Sequence, residues 1–135
     1  MTQVVVPVRY PLTDHSRATL EEAIRIASDE EAALTVLHVN LYQNGRQVTR
    51  SQLKSAVEKE FGRLQNTRYS VRKGLLVEQS ILEEIAAEEA DIVVIGKKQV
   101  SRWRQMVRRI TDDPDIEVFL RDRLDCKVVT VSVTA

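Results

Sequence analysis

The sequence has a single cysteine, Cys126, and no long apolar run among its 135 residues. One cysteine excludes an intrachain disulfide framework and a cysteine-based zinc site. No apolar stretch approaches the ~20 residues needed to cross a bilayer. The first residues, MTQVVVPVRY, lack the basic and then apolar pattern of a signal peptide. We therefore expect a cytoplasmic protein.

An excess of charge of either sign is also missing, because 20 basic residues balance 20 acidic ones. Zero net charge gives no general attraction to nucleic acid or to anionic membranes. Charge is nevertheless unevenly placed, since residues 97–109 carry six basic side chains and no acidic one. Any electrostatic function should therefore be local.

Short β-branched runs alternate with segments whose apolar residues recur at helical spacing. The runs at 4–8, 34–40, 69–77, 91–96 and 127–133 are typical of strands. Two of them are apolar on both faces, as expected when helices cover both sides of a parallel sheet. We predict a single domain over residues 1–135 with a five-stranded parallel α/β fold.

Helix starts are indicated by capping residues. The pattern predicts a cap from Thr13, Asp14 or Ser16 for the first helix. It also predicts capping boxes that pair Thr49 with Gln52 and Ser80 with Glu83, and a last helix that starts near Pro114.

Ligands of parallel α/β sheets bind at the carboxyl ends of the strands, near the point where the strand order reverses. The residues predicted at this edge are the candidate ligand-binding residues: Arg9, Tyr10, Val39, Asn40, Gly96, Lys97 and Lys98. The cations among them would suit a phosphate or a carboxylate group.

Four segments resemble the universal stress protein family. VVVPVRYPLTDHSRATLEEAIRIA is similar to the first strand and helix of that family, and LTVLHVN to its second strand. VEQSILEEIAAEEADIVVIG is similar to the third helix and fourth strand, and KVVTVSV, after Cys126, to the last strand. The resemblance covers nearly the whole chain.

The resemblance implies a Rossmann-like sheet in the order 3-2-1-4-5 and a role in stress response. It also implies a homodimer, which in the family often forms through the last strand, here the strand that includes Lys127 and Val133. A subset of the family binds ATP, and many members have no assigned reaction.

Two departures from the family pattern concern ATP. ATP-binding members continue the first strand as V-P-x-D-G-S, whereas Arg9 stands at the aspartate position here. They continue the fourth strand as G-x-x-G, nine residues and G-[ST], but here Gly96 is followed by Gln99 at the second glycine position. Those glycines let backbone N–H groups approach a triphosphate.

The last glycine pair of that pattern is also missing. Strict spacing places it on Arg109 and Ile110, and counting back from Cys126 places it on Pro114 and Asp115. We therefore predict a degenerate loop, no ATP binding in the usual family mode, and no bound cofactor, with ATP in another mode or another nucleotide left open.

The basic segment 97–109 has three interpretations. Its apolar residues recur at helical spacing, which favours an amphipathic helix with solvated arginines: Val100, Trp103, Val107 and Ile110. The alternatives are an anion or nucleotide site on Arg9, Lys97 and Lys98, and a docking face for nucleic acid or protein.

The remaining polar residues are expected to be structural. Arg9 is expected to form a salt bridge with Asp14 or Asp91. His38 is expected in or near the core with one hydrogen bond, His15 in an exposed loop, and the Glu83-Glu84 pair on a solvated helix face.

No nucleophile, base or metal constellation indicates an enzyme. We expect a dimeric regulatory module of the universal stress type. The alternative is a protein that binds a nucleotide or another anion through Arg9, Lys97 and Lys98, and a nucleotide hydrolase is the weakest interpretation.

Overall fold

The computed structural model describes residues 2–43, 45, 47–108 and 126–132, with the backbone alone for residues 103–108. The elements in chain order are β1 Gln3–Pro7, α1 Asp14–Asp29, β2 Ala33–Leu41, α2 Arg50–Phe61, β3 Thr67–Gly74, α3 Val77–Ala87, β4 Ile92–Gly96, α4 Lys97–Arg108 and β5 Lys127–Val131. The predicted helix near Pro114 and the predicted strand end at Val133 lie outside the described residues.

The strands form one parallel sheet in the order β3-β2-β1-β4-β5, with helices on both faces, as predicted. The central strand β1 is buried on both sides, because Val4, Val5 and Val6 have no exposed surface. Val4 and Val6 pack in the cluster that includes Leu20 of α1, and Val5 packs with Ile81 of α3. Because successive side chains of a strand point to opposite faces, β1 contributes to the apolar core on each face of the sheet.

Side-chain caps begin the first two helices, as predicted. Thr13 Oγ1 accepts a hydrogen bond from Ser16 N at 3.1 Å. Thr49 and Gln52 form the reciprocal capping box, with bonds of 3.2 and 2.9 Å. Each cap satisfies N–H groups that the first helical turn leaves without a partner.

The predicted capping box of Ser80 and Glu83 is wrong. β3 ends at Gly74, so α3 begins at Val77 and Ser80 lies inside it. The Ser80 hydroxyl donates to the Leu76 carbonyl at 3.0 Å. A Cβ at Gly74 would lie 2.1 Å from Ser80 Oγ. Because Gly74 has no side chain, the chain can turn there, and α3 begins at Val77, which the sequence pattern assigns to the end of the strand.

Glu84 is buried, which corrects the expectation that the Glu83-Glu84 pair is solvated. Only 3% of Glu84 is exposed, and Arg72 Nε on β3 donates to its Oε1 at 3.0 Å. Within the described part of the chain, Glu84 Oε2 has no hydrogen-bond partner. Glu84 follows Ser80 and Ile81 on the buried face of α3, where only the neighbouring arginine makes a carboxylate tolerable.

No helix in the segments that the structure describes is long and apolar enough to cross a membrane.

The ion pair between Arg72 and Glu84 gives the first prediction. Arg72→Met should lower the free energy of unfolding by about 2–3 kcal/mol, because it leaves a buried carboxylate without its donor. Glu83→Gln is the matched control: its carboxylate is exposed and 3.9 Å from Arg72, so the cost should stay below about 0.5 kcal/mol. Urea unfolding measures both, and equal costs would contradict the assignment.

Candidate functional site at the carboxyl edge of the sheet

A cavity of about 890 Å³ lies at the carboxyl edge of the sheet. It forms because β1 lies between β2 and β4. The chain that leaves β1 turns to the face covered by α1, and the chain that leaves β4 turns to the other face, where α4 packs. The two departures leave a crevice between them, which is where such sheets hold ligands.

Six of the seven candidate residues line this cavity: Arg9, Tyr10, Val39, Asn40, Gly96 and Lys98. Lys97 does not line it, and Arg102, which is absent from the sequence-based candidates, does. Lys98 and Arg102 are four positions apart and so share one face of α4, from which Lys97 is rotated by about 100°. Helical spacing counted from Lys98 is the signal that would have identified Arg102.

The charged groups at the cavity are all cationic. Arg9, Lys98 and Arg102 line it, and no aspartate or glutamate does among the residues that the structure describes. Glu78 lies nearby on α3 and accepts a hydrogen bond from Gln99 at 3.1 Å. A cleft lined by one sign of charge concentrates ions of the opposite sign.

The expected salt bridge of Arg9 to Asp14 or Asp91 is wrong. Asp14 pairs with Arg17, one helical turn further on, at 2.9 Å. Asp91 precedes β4 at the amino edge of the sheet, where it accepts a hydrogen bond from Gln3 N at 2.8 Å. Arg9 follows β1 at the opposite edge, so neither acid neutralises its exposed side chain.

The backbone around Arg9 is held in place by a serine. Arg9 N donates to the buried Ser16 Oγ at 3.0 Å. Because Ser16 Oγ also accepts from Thr13 Oγ1 at 3.2 Å, the loop is tied to the start of α1. The fold therefore fixes the backbone position from which the Arg9 side chain extends.

His38 forms part of the cavity wall and lies near the core, as predicted. Its Nδ1 is 3.1 Å from the Val8 carbonyl, which can only accept, so Nδ1 carries the proton. Burial lowers the pKa of His38, and hydrogen bonds with the Val8 carbonyl and the Asn40 side chain partly oppose that shift. The Tyr10 ring packs edge-on at 6.3 Å between centroids. His15, predicted in a loop, is exposed in the first turn of α1.

Asn40 is a structural part of the cavity wall. Its Nδ2 donates to the Val48 carbonyl at 2.8 Å, and its Oδ1 accepts from Val48 N at 3.0 Å. Both groups are buried, and together they fasten the segment before α2 to the end of β2. Both polar atoms of the Asn40 side chain are thus already hydrogen-bonded within the protein, and Asn40 contributes mainly to the shape of the cavity.

Segment 97–108 forms the predicted amphipathic helix in its backbone, as α4. Val100 packs against the cluster that includes Ile81, as the apolar stripe requires. Beyond the first turn, the backbone N–H groups of a helix are bonded within it and cannot hold a phosphate. The positions compared with the last glycine pair, 109–110 and 114–115, lie outside the described residues.

No contact with the part of the chain that the structure describes requires glycine at position 96. A Cβ placed on it would lie 3.6 Å from Thr19 Oγ1, which is ordinary van der Waals contact. The described residues contain no group of three or more histidine, cysteine, aspartate or glutamate side chains that could hold a metal ion.

No model of a known protein family matches the sequence, and no curated protein matches it. Solved structures share its fold. The universal stress protein UspA from Lactobacillus plantarum is 19% identical, with a TM-score of 0.65 over 96% of this chain and 97% of that chain. A universal stress protein in complex with cAMP is 18% identical, with a TM-score of 0.59 over 98% of both chains.

A member of the universal stress protein family from Burkholderia pseudomallei is 14% identical, with a TM-score of 0.58 over 96% of this chain and 95% of that chain. At these identities the shared property is the fold. The chain therefore has the universal stress protein fold that its sequence motifs predict.

The lowered pKa of His38 gives a prediction on pH. The folded protein resists protonation, so the unfolded chain takes up the proton first. This contribution to stability is complete above the ordinary pKa of 6.5 and is lost as the pH falls from there toward the lowered value. Urea unfolding at about pH 7.5 and about pH 5.5 should show a larger loss for the natural protein than for His38→Gln. His15→Gln, an exposed control, should keep the natural loss; equal losses in all three proteins would refute the role of His38.

Proposed function

We propose that this protein, which has the universal stress protein fold, is a cytoplasmic regulatory module of the stress response that binds an anionic small molecule at the carboxyl edge. The observation that carries the proposal is the cavity of about 890 Å³, lined by Arg9, Lys98 and Arg102 without a carboxylate among the described lining residues. Its volume is within the range of small-molecule sites, roughly 300–1,000 Å³. A structural neighbour solved in complex with cAMP, itself an anion, gives further support.

ATP is not the ligand in our proposal. Arg9 stands where the resembling ATP-binding proteins have aspartate, and α4 occupies the segment of their phosphate loop. Calorimetric titration should therefore show no ATP binding tighter than about 1 mM, which corresponds to about −4 kcal/mol. Micromolar affinity for ATP would contradict this part of the proposal.

Binding rather than turnover is proposed because the cavity offers cations and amides but no activated nucleophile. Two histidines line it. His38 is engaged with the Val8 carbonyl and the Asn40 side chain. His15 is exposed in the first turn of α1, where no carboxylate among the described lining residues accompanies it. Repeated product formation from a nucleotide would favour the hydrolase alternative.

Thermal shift with phenyl phosphate tests the anion site. If the dissociation constant is about 1 mM, about 10 mM ligand should stabilise the natural protein by about 1.4 kcal/mol, or a few degrees. Combined substitution of the cavity cations to alanine should abolish the shift: Arg9, Lys98 and Arg102.

The matched control removes three exposed cations that neither line the cavity nor lie on the edge strand β5: Arg50, Lys54 and Arg63. Its net charge changes by the same amount, so it should keep the full shift. The proposal fails if phenyl phosphate gives no shift, or if both triple variants lose it equally.

We further propose a homodimer through β5. This strand lies at one edge of the described sheet, and no strand in the described ranges pairs with its outer side, where a second copy can add a strand. Light scattering should give about twice the chain mass of 15.4 kDa. Thr130→Lys, on the exposed side of β5, should shift the mass toward one chain, whereas Ser55→Lys on α2 should not. A natural protein of single-chain mass would end this proposal.

A further inference from the structure

Three large apolar side chains stand exposed at the carboxyl ends of β2 and β3. Tyr42 is 61% exposed, Leu75 68% and Leu76 57%. Monomeric proteins seldom leave large apolar groups together at one place in contact with water unless they bind something. We call these three residues the apolar rim.

The apolar rim is held in place by hydrogen bonds. Tyr42 N donates to the Gly74 carbonyl at 3.0 Å, and Gln43 Nε2 donates to the Leu75 carbonyl at 3.2 Å. The Leu76 carbonyl accepts from both the backbone and the hydroxyl of Ser80. The exposure is therefore built into the turn between β3 and α3.

The rim is continuous with one wall of the cavity. Leu41 and Gln43, on either side of Tyr42, line the cavity, and so does Val77, which follows Leu76. Val39 extends the same wall inward from Leu41. This side of the cavity is thus mainly apolar from its interior to its mouth.

The other wall carries the cations. Arg9 follows β1, and Lys98 and Arg102 project from α4, beyond β4 in the sheet. β1 and β4 lie on the side of β2 away from β3, so the cationic wall and the apolar rim flank the same opening. A ligand that filled this space would carry its negative charge at one end and an apolar chain at the other.

We propose that the natural ligand is a free amphiphilic anion, with a phosphate or carboxylate head between Arg9, Lys98 and Arg102 and an alkyl chain along Val39, Leu41, Val77 and the apolar rim. This inference rests on the proposed anion site and specifies its ligand class. The alkyl chain would cover the exposed rim on binding, which removes its apolar surface from water.

Alkyl phosphates of increasing length test the proposal. Calorimetry below the micelle concentration should show affinity rising about two- to fourfold per added methylene, so that octyl phosphate, with six more methylenes, binds at least about 60-fold more tightly than ethyl phosphate. Octanol, which has the chain without the charge, should bind at least about tenfold more weakly than octyl phosphate.

A variant of the apolar rim tests where the alkyl chain of the ligand lies. Tyr42→Ser, Leu75→Ser and Leu76→Ser combined should weaken octyl phosphate about tenfold and leave ethyl phosphate unchanged. The fold should persist because all three side chains are exposed and serine is favoured at the N-cap position of α3 that Leu76 occupies. Circular dichroism checks that it does.

The outcomes separate this inference from the anion site itself. If ethyl phosphate binds and longer alkyl chains bind no more tightly, the proposal of an amphiphilic ligand fails and the anion site stands. No binding by any alkyl phosphate overturns both, as does equal binding of octanol and octyl phosphate. If the rim variant still binds longer alkyl phosphates more tightly than shorter ones, to the same degree as the natural protein, the alkyl chain does not lie along the apolar rim.

Vesicles of phosphatidic acid and phosphatidylcholine distinguish a free ligand from a lipid surface. A free amphiphile in the cavity predicts that the protein does not float with them. Flotation that depends on the rim and on the cations would replace the free ligand by a membrane and overturn the inference.

Discussion

The double burial of β1 is the constraint on which the rest of the structure depends. Val4, Val5 and Val6 have no exposed surface, so helices must cover both faces of the sheet. With β2 on one side of β1 and β4 on the other, the connections that leave the neighbouring strands β1 and β4 depart to opposite faces at the carboxyl edge. The cavity is the space that this topology cannot fill with backbone. The position of the cavity follows from the packing of the helices, and its chemistry is determined by the side chains that line it.

Most of the fold could be predicted because its signals are local. β-branched runs mark the strands, and Thr49 with Gln52 marks a helix start through bonds made within four residues. The errors arise where distant residues meet. Ser80 reads as a cap, but Gly74 lets the chain turn early and places it inside α3. Glu84 reads as a surface residue because its partner, Arg72, comes from another element.

The candidate site could be predicted to the level of an edge, but not of a helix face. The predicted strand ends put Arg9, Gly96 and Lys98 at the carboxyl edge, and in the structure these three residues line the cavity there. Only the helical structure of α4 shows which of its side chains share a face, and so that Arg102 lines the cavity whereas Lys97 does not. The segment that first indicated a lost phosphate loop is thereby the source of two of the three cations. The proposed anion site and the proposed absence of ATP binding therefore both depend on α4.

The most direct measurement is an electron-density map from crystals grown with octyl phosphate. Our account predicts the phosphate within hydrogen-bond reach of Arg9, Lys98 and Arg102, and the alkyl chain directed along Leu41 toward the exposed Tyr42. An empty cavity at saturating ligand, or a phosphate bound away from these three cations, would contradict the account.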